Sequence, residues 1–331
     1  MSKTIAVLVL VGFTFLARSW AVSNAVVGKC RTGTQYSTIQ AAIDAADVGS
    51  TVQVCPGTYS EILTIVNNLA LKGIASSTSD SVIITVPYSG VPVTGTSAIW
   101  GPLSPQVLVQ NATANLSNLT IDGGGGSSCS KGVTSVGVLF EAAGGSMTNS
   151  TFQNPPPCRI GALLDHTTSF NFSNNYLRDC QQSCVEIDYG TNTTVKGNDI
   201  VSVKGPTFYG IGVQKLAGPA TISANFIRGY ISWGISAQSS PSVSITNNNV
   251  MSGQGSAIAL FATTHAIAES NRVSSPNVGI FLDDNGAIGG NTILNNTVTG
   301  GSCGVQIHTT NQGDTIAPNT SFNEPQFLCT F

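Results

Sequence analysis

The chain has 331 residues, of which only 9% are charged, and its 13 Lys and Arg are outnumbered by 16 Asp and Glu. This balance argues against a nucleic-acid partner held through phosphate contacts and is neutral about sugars. A composition rich in Gly, Asn, Thr, Ser and Val favours short strands and turns over helices.

In chain order, Lys3, the apolar run from Ile5 to Leu16 and the small residues Ala17, Ser19 and Ala21 predict a secretory signal over residues 1–21, with cleavage after Ala21 or Ala25. The run is too short to span a bilayer, and no later segment replaces it as a transmembrane span. The expected product is secreted, extracellular or held at the cell envelope. Without Lys3 and Arg18 it carries 11 basic and 16 acidic side chains, a formal charge of −5. All eight cysteines follow the signal, and an even set in an exported chain predicts disulfides.

Residues 26–60 read as an N-terminal cap and first coil. In YSTIQAAIDAAD, Ser37 and Gln40 have capping-box spacing, and Ile39, Ala42, Ile43 and Ala46 form the apolar stripe of a short helix. Such a helix would cover the open end of a solenoid, whose exposed strands invite aggregation. TVQVCPGTY (51–59) then reads as the first strand and turn.

Residues 61–310 contain a repeat. The pattern apolar-x-x-Asn-x-apolar occurs in FSNNYL (172–177), VKGNDI (195–200), ISANFI (222–227), ITNNNV (245–250) and ILNNTV (293–298). AESNRV (268–273) keeps its Asn, and MTNSTF (147–152) places Ser150 there. The repeated residues are Asn175, Asn198, Asn225, Asn248, Asn271 and Asn296. A second strand accompanies each copy, among them GVLFE at 137, GALLD at 161, CVEID at 184, GIGVQ at 210 and GIFLD at 279. Two short strands per period of about 24, with no helix between, suit one coil of a parallel β-solenoid. The Asn column has a structural explanation: Asn tolerates left-handed turns, and stacked amides bond from coil to coil. Residues 311–331 are left as a C-terminal tail.

The run YSTIQAAIDAADVGSTVQVCPGTYSE (36–61) resembles the N-terminal cap and first coil of the pectin-lyase-like superfamily, and the Asn-bearing coils are similar to its repeats. The resemblance implies an all-β, right-handed parallel β-helix (solenoid) with a short N-terminal capping helix. It specifies a fold and not one activity, because the superfamily includes lyases, glycoside hydrolases, methylesterases, epimerases and adhesins. Of the polygalacturonase blocks only Asp283-Asp284 is matched, and no methylesterase segment surrounds Gln214 and Gln238. No catalytic block is therefore carried over.

Aligning the second strands gives two inward columns, Val138, Ala162, Val185, Ile211, Ile235, Ile258, Ile280, Val305 and Phe140, Leu164, Ile187, Val213, Ala237, Leu260, Leu282, Ile307, all apolar. The outward column beyond them is Glu141, Asp165, Asp188, Gln214, Gln238, Phe261, Asp283, His308, with Glu186 on the same face as Asp188. Coils stack about 4.8 Å apart, so an enclosed acid ladder must raise a carboxyl pKa or recruit a cation. Neighbouring coils approach the ~5 to 5.5 Å carboxyl separation of retaining glycosidases. Alternatively Ca²⁺ would sit among Asp165, Glu186 and Asp188. No cofactor is the other expectation.

The candidate catalytic residues are Asp165, Glu186, Asp188, Lys215 as a lyase base, and the pair Asp283 and His308. Candidate substrate-binding residues are Glu141, Gln214, Gln238, Arg178, Arg228 and Phe261, the last with Trp233 as a platform for sugar rings. Segments 87–106 and 122–136 are the candidate groove walls. Cys30 is expected to pair with Cys55 and Cys303 with Cys329, stapling the solenoid ends, and Cys158 with Cys180. Asn111, Asn171 and Asn192 begin glycosylation sequons for a eukaryotic route. The whole predicts a monomeric, exported lyase or glycoside hydrolase on an acidic or pectin-like polysaccharide. The alternative is a non-catalytic extracellular or cell-envelope β-helix that binds glycans or other surface partners.

Overall fold

The computed structural model describes residues 25–75, 81–124, 132–155, 159–285, 289–309, 313–316, 318–322 and 328–330. The predicted signal, Cys129, Cys158 and residues 125–131 of the 122–136 wall lie outside the described residues. Among the described residues the strands form a 13-stranded and a 21-stranded sheet, wound into a parallel β-solenoid of about 11 turns. No helix among them is long and apolar enough to cross a membrane.

A representative coil contains three strands, Phe170–Ser173, Tyr176–Arg178 and Ser183–Asp188, where two were expected. The Asn corner is the reason for the extra strand. At Asn174 the backbone turns through φ 55°, which ends one strand and starts the next within two residues. The left-handed position falls on the residue before Ser150 and before the ladder Asn from Asn175 to Asn296, at Asn149, Asn174, Gly197, Ala224, Asn247, Ser270 and Asn295. The ladder residues themselves are buried and bond along the axis. Asn198 N and Nδ2 donate to Asn225 Oδ1 at 3.0 and 2.9 Å, and Asn225 N and Nδ2 donate to Asn248 Oδ1 at 2.9 and 3.0 Å. Ser150 occupies the expected place, receiving the Leu119 amide on its Oγ. Asn319, read as tail, extends the ladder by accepting from Asn296. The strands Thr315–Ile316, Thr320–Phe322 and Leu328–Thr330 make the tail a further coil.

Both inward columns are in the expected register from Val138 to Val305 and from Phe140 to Ile307. They fill one continuous apolar core, because alternation in a strand sends every second side chain inward. The polar column departs from expectation at its end. A register shift between Leu282 and Asp283 pairs Asp283 with Thr309, so His308 is not its strand partner.

A six-residue helix, Ile39–Asp44, buries Ile39, Ala42 and Ile43 against the first coils. Its N-cap is Thr38, not Ser37, with Thr38 Oγ1 accepting from Ala41 N. Two further first-turn amides, Ile39 N and Gln40 N, donate to the Glu61 carboxylate at 2.8 and 2.9 Å, tying the helix to the following coil. Disulfides Cys30–Cys55 and Cys303–Cys329 close the two ends as expected. Cys180 pairs with Cys184, four residues on, and not with Cys158.

One excursion breaks the parallel rule. Strand Gly95–Ser97 pairs antiparallel with Gly101–Gln110, and the turn between them is held by Ser97 Oγ, which accepts from Ile99 N and Trp100 N. This hairpin, which overlaps the expected 87–106 wall, packs on the outer face. Leu103, Leu108, Val136, Leu139, Ile160, Leu163 and Trp100 form a second apolar cluster outside the coil core.

Candidate active site

The register places Gln110, Glu141, Asp165, Asp188, Gln214, Gln238, Phe261 and Asp283 in one outward column. The next outward column contains Leu108, Leu139, Leu163, Glu186 and Gly212. The acids were expected to line an accessible face, yet Asp165 is 3% exposed and Glu186 and Asp188 are 0% exposed. Trp100 on the hairpin turn is part of the cover, and its indole Nε1 donates to Asp188 Oδ2 at 2.9 Å.

Glu186 leans over Gly212, where a Cβ would meet its carboxylate, and accepts from Gln214 Nε2 at 2.7 Å. Among the described residues, the buried Glu186 Oε2 and Asp188 Oδ1 have no hydrogen-bond donor. Burial first, then the neighbouring carboxylates, drives the Asp188 pKa upward, and burial likewise raises that of Glu186. A proton shared within the pair would satisfy both oxygens, in keeping with the upward direction of both shifts. The Tyr209 phenol is pushed up to about 12 by burial and by Glu186. Asp165 is also raised by burial, even though His166 pulls the other way.

A raised carboxyl makes the folded state hold its proton longer than the unfolded chain does. Its stabilising effect is therefore complete in acid and is lost as pH rises through the folded pKa. Each unit of upward shift costs about 1.4 kcal/mol once both states are ionised. Thermal melts are expected to show a midpoint falling between pH 5 and pH 8, and Asp188→Asn, which still accepts from Trp100, is expected to flatten that slope. A slope equal to that of the unmodified chain would contradict a shared proton.

A third column lies one residue beyond the acids. Asn111, Ala142, His166, Tyr189, Lys215, Ser239 and Ala262 all have φ between 47° and 54°. Each donates its amide to the carbonyl of the outward residue on the next coil, as His166 N does to Asp188 O at 2.8 Å and Tyr189 N to Gln214 O at 3.1 Å. Three chemically active side chains thereby stand in a row. His166 Nδ1 is 2.6 Å from Asp165 Oδ1, with the imidazole side chain 58% exposed and the Asp165 side chain 5% exposed. The imidazole stacks on Tyr189 with centroids 4.7 Å apart, and Lys215 Nζ lies 5.9 Å from the Tyr189 ring. With Asp165 ionised, Nδ1 carries the hydrogen and Nε2 presents its lone pair.

Of the expected residues, the structure gathers Asp165, Glu186, Asp188, Gln214 and Lys215. Glu141 adjoins them, accepting from Gln110 Nε2 at 2.8 Å beside an open depression walled by Val93, Thr94, Gly95 and Thr96. Gln238 is exposed two coils beyond Asp188. Arg178 and Arg228 sit a corner away and pair with Asp179 and Asp199. Asp283 and His308 are 3.2 Å apart but four and five coils beyond Asp188, and Asp284 is buried and accepts from Asn291 Nδ2. Among the described residues no three His, Cys, Asp or Glu side chains form a metal-binding group. Of the three residues expected to hold Ca²⁺, Asp188 Oδ2 accepts from Trp100, Glu186 Oε1 from Gln214, and Asp165 Oδ1 faces His166. His166, Tyr189, Trp100, Tyr209 and Gln110 were not foreseen.

Residues 160–321 match the family model described as right handed beta helix region. Among solved structures, the chain is similar to the Dettilon tailspike protein gp208 at 16% identity and a TM-score of 0.63, over 88% of this chain and 64% of the tailspike. The chain thus spans under two thirds of that protein. It is also similar to the mannuronan C-5 epimerase AlgE4 A-module of Azotobacter vinelandii, at 15% identity and TM-score 0.55, over 88% and 94% of the two chains. The alginate lyase of Paenibacillus sp. str. FPU-7 gives 10% identity and TM-score 0.53, over 88% and 94%. No curated protein matches the sequence. At these identities the likeness concerns architecture, and it shows that the chain is a right-handed parallel β-helix.

Proposed function

We propose that the chain is an exported polysaccharide-active enzyme that attacks a uronic-acid-bearing glycan by removing the proton beside the carboxylate, the first step of a lyase. The observation that carries this reading is the exposed His166 imidazole held by buried Asp165 in a row with Tyr189 and Lys215. A paired-carboxylate hydrolase would need two acids that reach the glycosidic bond, and Asp165, Glu186 and Asp188 are enclosed. The base expected at Lys215 is assigned to His166. Its Nε2 takes the proton on C5, while the Lys215 ammonium pairs with the uronate carboxylate. The electron pair forms the C4–C5 double bond, the C4–O bond breaks, and the departing oxygen takes a proton from the Tyr189 hydroxyl. Solvent then returns a proton to Tyr189 and removes one from His166.

Two structural neighbours are an alginate lyase and a mannuronan C-5 epimerase, named for uronate polymers, which supports this substrate class. A glycan-binding protein without turnover is the second reading, favoured by the enclosure of all three acids. Incubation with alginate, pectate and neutral glycans separates the two. The lyase reading expects an ultraviolet-absorbing unsaturated product from a uronate polymer, with no loss on adding EDTA. Reducing ends without that absorbance, or no product from any polymer, would contradict it.

A further inference from the structure

The face that carries the proposed site continues for several coils toward the C-terminal end, and its chemistry changes there. Phe261 stands in the column of Asp188, and Phe281 in the column of Glu186. Trp233, on the coil before Phe261, meets it edge to face with centroids 5.3 Å apart, and Phe261 and Phe281 are 5.1 Å apart. All three rings are half-buried. Between them the outward column contains Ser236 and Ala259, small side chains that are themselves buried on this outer face. With small residues between them, the three rings touch one another in a continuous aromatic cluster.

We infer that Trp233, Phe261 and Phe281 form a remote sugar-stacking subsite, so that a bound polysaccharide runs parallel to the solenoid axis from His166 to the rings. This rests on the proposed function for its occupant, a uronate polymer. The register carries the geometry. Phe261 is four coils beyond Asp165, the partner of His166, a step of about 4.8 Å per coil and roughly 19 Å in all. One coil step is close to the length of one pyranose unit, so the rings meet a sugar about four units from the reacting one. A pyranose has an apolar face of C–H groups that packs on an aromatic ring, while its hydroxyls and carboxylate stay in water. The other end of the same face, at Gln110, Glu141 and the 93–96 wall, is polar. A chain lying along this axis thus meets unlike ends, which fixes its direction.

The test is a length series of oligoalginates and oligogalacturonates, from three to eight residues, bound to the full chain and followed by calorimetry alongside turnover. The expected result is a gain of roughly five- to ten-fold in affinity once the oligomer is long enough to reach the rings. Phe261→Ala and, independently, Trp233→Ala are expected to erase that gain, and Phe261→Tyr to keep it, with melting curves confirming each fold. An affinity that is flat with length, or a gain that survives both alanine variants, would overturn the subsite. Binding with a length-dependent gain but no turnover would leave the subsite standing and remove the catalytic reading. Turnover with no such gain would do the reverse.

Discussion

A His166→Asn protein is expected to lose roughly 10²- to 10⁴-fold in turnover of a uronate polymer, the usual contribution of a positioned general base. Asparagine suits the test for two reasons. It is among the residues best tolerated at positive φ, and His166 sits at 53°. Its amide nitrogen also takes the place of Nδ1, so the bond to Asp165 survives while the basic Nε2 is lost. The loss is expected in kcat with little change in KM, because the imidazole acts on a proton and does not hold the sugar. A melting temperature close to that of the unmodified chain would show that the fold is intact. Equal turnover in the variant would remove His166 from the chemistry.

The largest effect on stability is expected in the Asn ladder. Asn225 accepts from Asn198 N and Nδ2 and donates through Nδ2 to Val195 O, at 3.0 Å, and to Asn248 Oδ1. Asn225→Leu strands two donors on Asn198 and removes a donor from Val195 and Asn248, all in a buried corner. Each unsatisfied group costs about 1–3 kcal/mol, so a total of roughly 3–5 kcal/mol is expected after partial relaxation. Asn319→Ala, at the half-buried end of the ladder, disturbs fewer partners and is expected to cost about 1 kcal/mol. Urea unfolding of the two variants checks the gradient. Equal losses would mean that the ladder is not a chain of mutually dependent bonds.

Much of the fold was legible in the sequence because a solenoid repeats one local rule. Val185 and Ile187 alternate with Glu186 and Asp188, and the same alternation recurs in every coil, so the register followed from the apolar positions alone. The Asn column was legible for the same reason, although the left-handed turn belongs to the residue before it. What the repeat could not supply was the cover over the acids. That cover comes from the 95–110 hairpin, an interruption of the repeat and a matter of tertiary packing. A signal for it was present. Leu139 and Leu163 occupy outward positions on the coils that precede Glu186, and large apolar side chains pointing outward imply that something packs upon them.

The site was half legible for a related reason. Alignment of strands stops where the strands stop, so Asp165 and Asp188 were found while His166 and Tyr189, one residue further, were passed over. Those turn positions still stack from coil to coil, because each amide bonds to the next coil's carbonyl. Lys215, in the same turn column, was singled out for its charge. Arg178 and Arg228 align with one another through Val201, but on the strand after the Asn corner, away from the acids. His308 lost its place to a register shift that no periodicity announces.

The central claim is that the exposed row above the buried acids receives the glycan. The chain has three histidines, so a side-chain nitrogen–proton correlation spectrum contains three imidazole signals, from His166, His265 and His308. Titration with a uronate trisaccharide is predicted to shift the His166 signals and to leave those of His265, at another corner of the coil, in place. A trisaccharide that binds and leaves His166 unmoved would contradict the account.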